Sequence, residues 1–238
     1  MKRSVLYLGV CLLALGCRPD AAVQYASRSV SAASFDRIEV YDRIELYLRC
    51  NPDSAGLLRW EHNTEALDQL SAEFDGQTLR LRDQNKGRMT RPGQRAPRCT
   101  LNAIQLASLR ILDAARVQCL DTLRSAALEL YQGSILNQEL CLQAGQFYGG
   151  SDNQSELTLS GRINIISWSL EQGSSLNARN LWCDDAYIRH YTTHDAFISP
   201  DKQLVAYLFN SGNLVSQKPA SIRSQREGPG SGQILIKP

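Results

Sequence analysis

Histidine, methionine and a surplus of charge are what this chain has least of. It carries three histidines and two methionines in 238 residues, too little imidazole or thioether for a dedicated metal-handling protein. The run His190-Tyr-Thr-Thr-His194 has the spacing that converges on a metal from a helix. Its β-branched and aromatic neighbours point to a strand or turn instead, where residues four apart are separated by about 13 Å. No C-x-x-C pair occurs, which removes the spacing that zinc ribbons and thioredoxin-like redox sites need. No Gly-x-Ser-x-Gly elbow, phosphate loop or paired-carboxylate set is present. Adjacent strand residues face opposite ways, so Asp184 and Asp185 do not act together, and Asp195 reads with them as a solvated edge. No cofactor, catalytic residue or metal ligand is assigned.

A second long apolar run is also missing. The first follows Met1-Lys2-Arg3 and extends from Val5 to Gly16, the pattern of a secretion signal and too short for a permanent membrane span. Ala14-Leu15-Gly16-Cys17 has the form of a bacterial lipobox, so Cys17 is the expected lipidation site and residues 1–17 the signal peptide. The alternative is an ordinary signal cleaved elsewhere. Several acyl chains on Cys17 would hold the protein at a membrane, where one chain alone gives reversible binding. Arg18 rather than Asp follows the cysteine, which by the usual sorting rule points to the outer membrane, on its periplasmic or its surface face. Residues 18–33 read as a polar tether. Removing residues 1–17 takes away Lys2 and Arg3 and no acid, leaving 26 − 2 = 24 basic residues against 24 acidic ones. A chain so balanced lacks the basic excess that nucleic-acid binding requires.

Beyond the tether, about 200 residues make one sizeable domain. Period-two alternation begins at Phe35-Asp-Arg-Ile38-Glu-Val40 and Ile44-Glu-Leu46-Tyr-Leu48, and returns at Thr78 to Arg82 after the tight turn at Asp75-Gly76. These are half-buried strands. Thr64-Glu-Ala-Leu67-Asp-Gln-Leu70 has an N-cap residue and apolar residues three apart, the one short helix expected.

From Thr100 onward the pattern repeats. Ile135, Leu157, Leu176, Phe197 and Leu214 follow successive turns at intervals of 22, 19, 21 and 17 residues. Cys99, Cys119, Cys141 and Cys183 are spaced by 20, 22 and 42 residues, the last being twice 21. A unit of about 20 residues made of short strands and tight Gly/Ser/Asn turns predicts an all-β parallel β-helix, whose coils bury their apolar faces only by stacking. The expectation places Ile135, Leu157, Leu176 and Phe197 inward, with Gly133, Gly173 and Gly212 supplying positive φ at the turns.

The chain resembles the autotransporter adhesin head family, known as the GIN domain or domain of unknown function 2807, over residues 34–236. Ser34-Phe35-Asp-Arg-Ile38-Glu-Val40, Ile44-Glu-Leu46, and Phe74-Asp75-Gly76-Gln-Thr-Leu79-Arg-Leu81 match its opening and middle. Gly133-Ser134, Gly149-Gly150-Ser151, Gly173-Ser174-Ser175 and Ser211-Gly212-Asn213 match its turns, and Gly228-Pro229-Gly230-Ser231-Gly232-Gln233-Ile234 its closing element. The resemblance implies a right-handed parallel β-helix of pectin-lyase-like appearance without a lyase's catalytic residues. Within it, residues 34–99 form an N-terminal β region packed on repeated coils at 100–217, and residues 218–238 close the fold. This chain departs from the family in losing the second glycine of most turns and in its cysteines.

Five cysteines remain once Cys11 and Cys17 are set aside, an odd number in an oxidising compartment. Cys50, at a strand end, and Cys99, closing a polar loop, are the candidate disulfide. Cys119, Cys141 and Cys183 read as small hydrophobes packing coil on coil. The loop at 83–98 holds Lys86, Arg88, Arg91, Arg95 and Arg98 among Gly and Pro. It is either a solvated insertion or a contact for an anionic glycan, lipid headgroup or acidic partner, with Lys86, Arg88, Arg91 and Arg95 as the contact residues. Asn153-Gln154-Ser155 is a formal glycosylation triplet that reads as a polar loop. Two functions follow. One is a non-enzymatic envelope lipoprotein, an adhesin-like or scaffold module that meets a glycan or surface protein through the β-helix, as a monomer or homo-oligomer. The other is a polysaccharide-acting enzyme on the same coil.

Overall fold

The computed structural model describes residues 25–31, 35–84, 95–217, 221–226 and 230–237. Their strands are β1 (Tyr25–Ser31), β2 (Arg37–Val40), β3 (Glu45–Arg49), β4 (Leu57–Asn63), β5 (Leu70–Asp75), β6 (Thr78–Asp83), β7 (Arg98–Asn102), β8 (Ser108–Asp113) and β9 (Arg116–Cys119). Four long strands follow, β10 (Leu123–Ser134), β11 (Gln138–Asp152), β12 (Glu156–Glu171) and β13 (Ser175–His190). The chain ends with β14 (Ala196–Ile198), β15 (Gln203–Leu208), β16 (Leu214–Ser216), β17 (Ser221–Arg226) and β18 (Ile234–Ile236). Thr64–Gln69, where the sequence predicts a short helix, is a 3-10 segment that buries Ala66 and Leu67.

The fold is the expected one, an all-β parallel β-helix of about six turns. Each long strand supplies two sheets. Its first half pairs in parallel with the first half of the next, Gln138 opposite Leu157 and Leu157 opposite Leu176, and its second half likewise, Phe147 opposite Ile166 and Ile166 opposite Ala186. The first ladder goes on through Ala196 opposite Leu214 and Leu214 opposite Ile234, so a coil takes 18 to 20 residues. In β15 every second side chain is buried, the signature of a strand with one face in a core. Inward residues from Ile38 to Leu214 form one continuous apolar cluster. Within it the rings of Phe147 and Trp168, on successive coils, stack with centroids 5.2 Å apart.

The N-terminal region does not follow chain order. β2 lies between β6 and β8, and β3 between β7 and β9, all in parallel. The chain therefore leaves the first coil, builds a further coil beneath it with β6 and β7, and returns to climb from β8. β5 pairs with β6 and β4 with β7, both antiparallel, and β1 adds antiparallel to β4. These reversed strands cover the edge that the lowest coil would otherwise present, which protects it from pairing with other chains. β1 lies within the stretch read from sequence as a tether.

Two inward positions differ from expectation. Ile135 is 61% exposed in the turn before β11, and Gln138, three residues on, holds the column that Leu157 and Leu176 continue. Phe197 pairs with Asn177, one place beside the Leu176 column, and is half-buried under the Arg179 guanidinium, 3.3 Å from its ring centroid. Ala196 takes the buried place. Turns of unequal length shift the alternation, and a shift of one residue exchanges the two faces of a strand. Among the turn glycines, Gly173 has φ +85° as expected, whereas Gly133 and Gly212 do not lie in the left-handed region. Gly212 is required by close stacking of turns: a Cβ there would lie 2.7 Å from the Thr192 carbonyl oxygen of the coil below. The polar turn residues act as expected. Asp195 Oδ1 accepts from the Asn213 N–H at 2.9 Å, and Asn213 Oδ1 accepts from the Gln233 N–H at 3.1 Å, tying turn to turn.

His190 ends β13 fully buried, and neither ring nitrogen has a hydrogen-bond partner; the carbonyls of His190 and His194 lie near without adequate geometry. Burial disfavours the imidazolium and lowers its pKa below the ordinary 6.5, with Asp195 offsetting part of the effect. The unfolded chain therefore binds a proton that the native chain refuses. The stability due to neutral His190 is complete above pH 6.5 and is lost as the pH falls through the lowered folded value. Chemical denaturation across this range should show a fall in stability that His190→Leu reduces, and an unchanged pH slope in the variant would overturn the assignment.

Candidate functional site

The long strands β10 to β13 share one interruption of their ladders, where they bend. Ser125 pairs with Ala144 and Ala127 with Gln146, but the intervening Ala126 and Gly145 are unpaired. Gly145 and Asn164, then Asn164 and Asp184, are skipped in the same way on the next coils. At Gly145 a Cβ would stand 2.7 Å from the Ala126 carbonyl oxygen, so the backbones approach as they turn. The Ser125 hydroxyl donates to the Leu106 carbonyl at 2.7 Å and also lies 2.9 Å from that of Ala127, tying the bend to the segment between β7 and β8. The Ala107 N–H in turn donates to the Asp36 carbonyl at 2.7 Å.

A surface groove of about 790 Å³ follows from this arrangement. Ala126, Ala127, Ala144 and Gly145 give it a floor of small residues, continued by Asn164 at the next bend position, and Ile104, Gln105, Arg124, Gln143 and Arg162 also line it. The last three stand in one register column. Arg124 is opposite Gln143, Gln143 opposite Arg162, and Arg162 opposite Trp182 on the next coil. The Arg162 guanidinium lies over the half-buried Trp182 ring, 3.9 Å from its centroid. Arg124 and Arg162 are exposed and make no ion pair with any described residue, while Asp36 pairs loosely with Arg37 at 3.7 Å. Asp36 Oδ1 is buried without a hydrogen-bond donor. The groove thus offers guanidinium and amide donors and the Asp36 carboxylate around a floor of small residues. Sequence reading missed it because its residues come from five coils; the only sequence signal is the recurrence of Arg124, Gln143 and Arg162 at 19-residue intervals.

The sites named from sequence lie elsewhere. Cys17, Lys86, Arg88 and Arg91 are outside the described residues. Arg95 lines a second cavity of about 390 Å³ with Arg59, Glu61, His62 and Arg98, in which Arg59 pairs with Glu61 at 3.4 Å and Arg98 with Glu45 at 3.2 Å. Cys50 and Cys99 are not a disulfide. Cys99 is opposite Leu46, four residues before Cys50 on the neighbouring strand. Their Cα atoms are therefore separated by about 13 Å along the strand, against the roughly 7 Å limit for a disulfide. Nor do the later cysteines form a ladder. Cys119 is opposite Leu48, Cys141 opposite Ser160 and Cys183 opposite Ile163, so their similar spacing conceals different columns. His190 is buried at the end of β13, and His194 lies in the following turn beside the Thr192 hydroxyl. Asp184 pairs with Lys202 at 2.9 Å. No group of three or more His, Cys, Asp or Glu among the described residues is placed to hold a metal.

A parallel β-solenoid with a polar groove at its bend is the class of protein these features define. The family model described as "Putative auto-transporter adhesin, head GIN domain" matches residues 34–219, and the chain belongs to that family. No curated protein matches the chain. A solved structure of a "putative adhesin" from Bacteroides fragilis NCTC 9343 superposes with a TM-score of 0.80 at 14% identity, covering 90% of this chain and 97% of that one. A "putative adhesin" from Parabacteroides distasonis ATCC 8503 gives 0.69 at 14% identity over 90% and 98%. A "putative lipid binding protein" from the same organism gives 0.65 at 13% identity over 89% and 96%. At such identities the likeness is one of fold.

The cysteine placement has a direct test. Burial pushes the Cys99 thiol well above its ordinary pKa and the Cys119 thiol up to about 12. Thiol alkylation of the native protein near neutral pH should label Cys50 and Cys141 first and reach Cys99, Cys119 and Cys183 only on unfolding. A cross-linked Cys50–Cys99 peptide in a non-reduced digest would overturn the register.

Proposed function

We propose that this protein is a non-enzymatic, adhesin-like module of the bacterial cell envelope that binds a glycan along the groove at the coil bend. The single observation that carries this reading is the column Arg124, Gln143, Arg162 and Trp182 beside a floor of small residues. Sugars are recognised by planar hydrogen-bonding groups around the hydroxyls, and the guanidinium and amide groups of Arg124, Gln143 and Arg162 are aligned here over successive coils. The family to which the chain belongs supports an adhesive role at the cell surface or in the envelope. The lipobox supports anchoring through Cys17 at the outer membrane. A contact through Lys86, Arg88, Arg91 and Arg95 is a secondary proposal, and Arg95, near Arg59 and Arg98, is consistent with it.

Hydrolysis of a polysaccharide is the less favoured reading. Glycoside hydrolysis ordinarily uses two carboxyl groups about 5–10 Å apart, and Asp36 is the only carboxylate among the residues lining the groove. Asp184, at the next skipped position beyond Asn164, stands four strand spacings from the Ala107 level, on the order of 19 Å.

Binding of a glycan panel to purified protein tests the reading. Ala126 is exposed on the groove floor, so Ala126→Trp should block the groove, weakening binding about tenfold or more (~1.4 kcal/mol) with an unchanged circular dichroism spectrum. No reducing ends should accumulate. Equal binding by Ala126→Trp would move the site elsewhere, and steady release of reducing ends would favour the enzyme. For the anchor, Cys17→Ser should shift the protein from the membrane to the soluble fraction, and retention there without lipid would overturn the assignment.

A further inference from the structure

Resting on glycan binding in the groove, we infer that the ligand is an acidic polysaccharide, recognised through its carboxylates by Arg124 and Arg162. Both cations are exposed, and neither is neutralised by an acidic residue among those described. Elsewhere on the same solenoid three arginines are paired, Arg80 with Glu39 at 3.0 Å, Arg98 with Glu45 at 3.2 Å and Arg59 with Glu61 at 3.4 Å, whereas Arg124 and Arg162 stand two coils apart in one column with no carboxylate between them. The groove has a charge surplus of one, two guanidiniums against Asp36, in a chain whose mature portion balances 24 bases with 24 acids. The surplus sits beside the bend that makes room for the groove.

Geometry narrows the anion. Arg124 and Arg162 share a column with Gln143 between them, so their Cα atoms are two strand spacings, about 10 Å, apart. A compact ion such as free phosphate touches one of them, whereas a polymer lying along the solenoid axis reaches both. The Arg162 guanidinium lies over the Trp182 ring, 3.9 Å from its centroid, which restrains a side chain that also lines the groove. An edge-on, planar fork matches a carboxylate with two parallel N–H···O bonds. Gln143 between the arginines and Asn164 beside them supply neutral donors and acceptors for hydroxyls.

The experiment uses purified protein with polygalacturonate, alginate and hyaluronate fragments, each beside its carboxyl-reduced neutral counterpart, together with a sulfated galactan. At least one acidic fragment should bind and its reduced form should bind about tenfold more weakly, a difference of ~1.4 kcal/mol. Arg124→Gln with Arg162→Gln should weaken the acidic fragment to about the same extent, abolishing the preference for it over its neutral form. Arg162→Lys should fall between, because an ammonium keeps the charge and loses the fork. Added salt should weaken binding of the acid and not of the neutral form. Both substitutions are on exposed side chains, where changes in stability are usually within about 0.5 kcal/mol, and an unchanged melting profile confirms that the fold is retained. Equal binding of acidic and neutral fragments, unaffected by the arginine variants, overturns this inference and leaves glycan binding standing. Binding confined to the sulfated galactan overturns the carboxylate assignment. Absence of binding to every fragment overturns both.

Discussion

Everything in this structure depends on the parallel backbone ladder between coils. A coil of 18 to 20 residues encloses only a thin layer of side chains. It buries that layer by lying on the coil below and under the coil above, and the hydrogen bonds that fix the spacing also fix which side chains stack. The same ladder explains why the ends need different treatment from the middle. At the N-terminal end the chain turns back through β4, β5 and β1 so that antiparallel strands finish the sheets. Turn residues belong to the ladder too, as Asp195, Asn213 and Gln233 show by satisfying backbone groups one coil away.

The groove exists where the ladder is interrupted. One unpaired position per coil, at Ala126, Gly145 and Asn164, lets each long strand pass from one sheet to the other, and the small side chains there leave a channel along the bend. Because the sheets remain in register on both sides, residues beside the bend are held in straight columns. Arg124, Gln143, Arg162 and Trp182 are aligned by the backbone rather than by contacts with one another, apart from the stacked Arg162 and Trp182 pair. A rigid scaffold thereby presents a row of polar groups at fixed spacing with little order left to impose on binding.

His190 and the cysteines show the opposite use of the interior. His190 is held neutral among apolar neighbours with both ring nitrogens unsatisfied, a cost that the rest of the stack absorbs. Cys99 and Cys183 occupy inward positions as small apolar side chains, and Cys119 and Cys141 lie half-buried in other columns. Nearly equal spacing in sequence brings Cys119 close to Cys141 but does not line the cysteines up in one column, because a column requires equal register as well as equal period.

The sequence by itself determined the fold class, the strands and the approximate coil length, since period-two alternation and recurring turns are local signals carried by residues such as Ile38, Val40, Leu157 and Leu176. Tertiary structure alone decided which residue of each coil points inward. A turn longer by one residue leaves the period almost unchanged and reverses the faces, which is why Gln138 and Ala196 occupy places that the sequence pattern assigns to Ile135 and Phe197. It also decided the site. A cluster of basic residues within one loop is visible along the chain, but a column made of one residue per coil is visible only when the register is known. The intervals that place Arg124, Gln143, Arg162 and Trp182 together are set by hydrogen bonds between strands, and those form only once the coils have stacked.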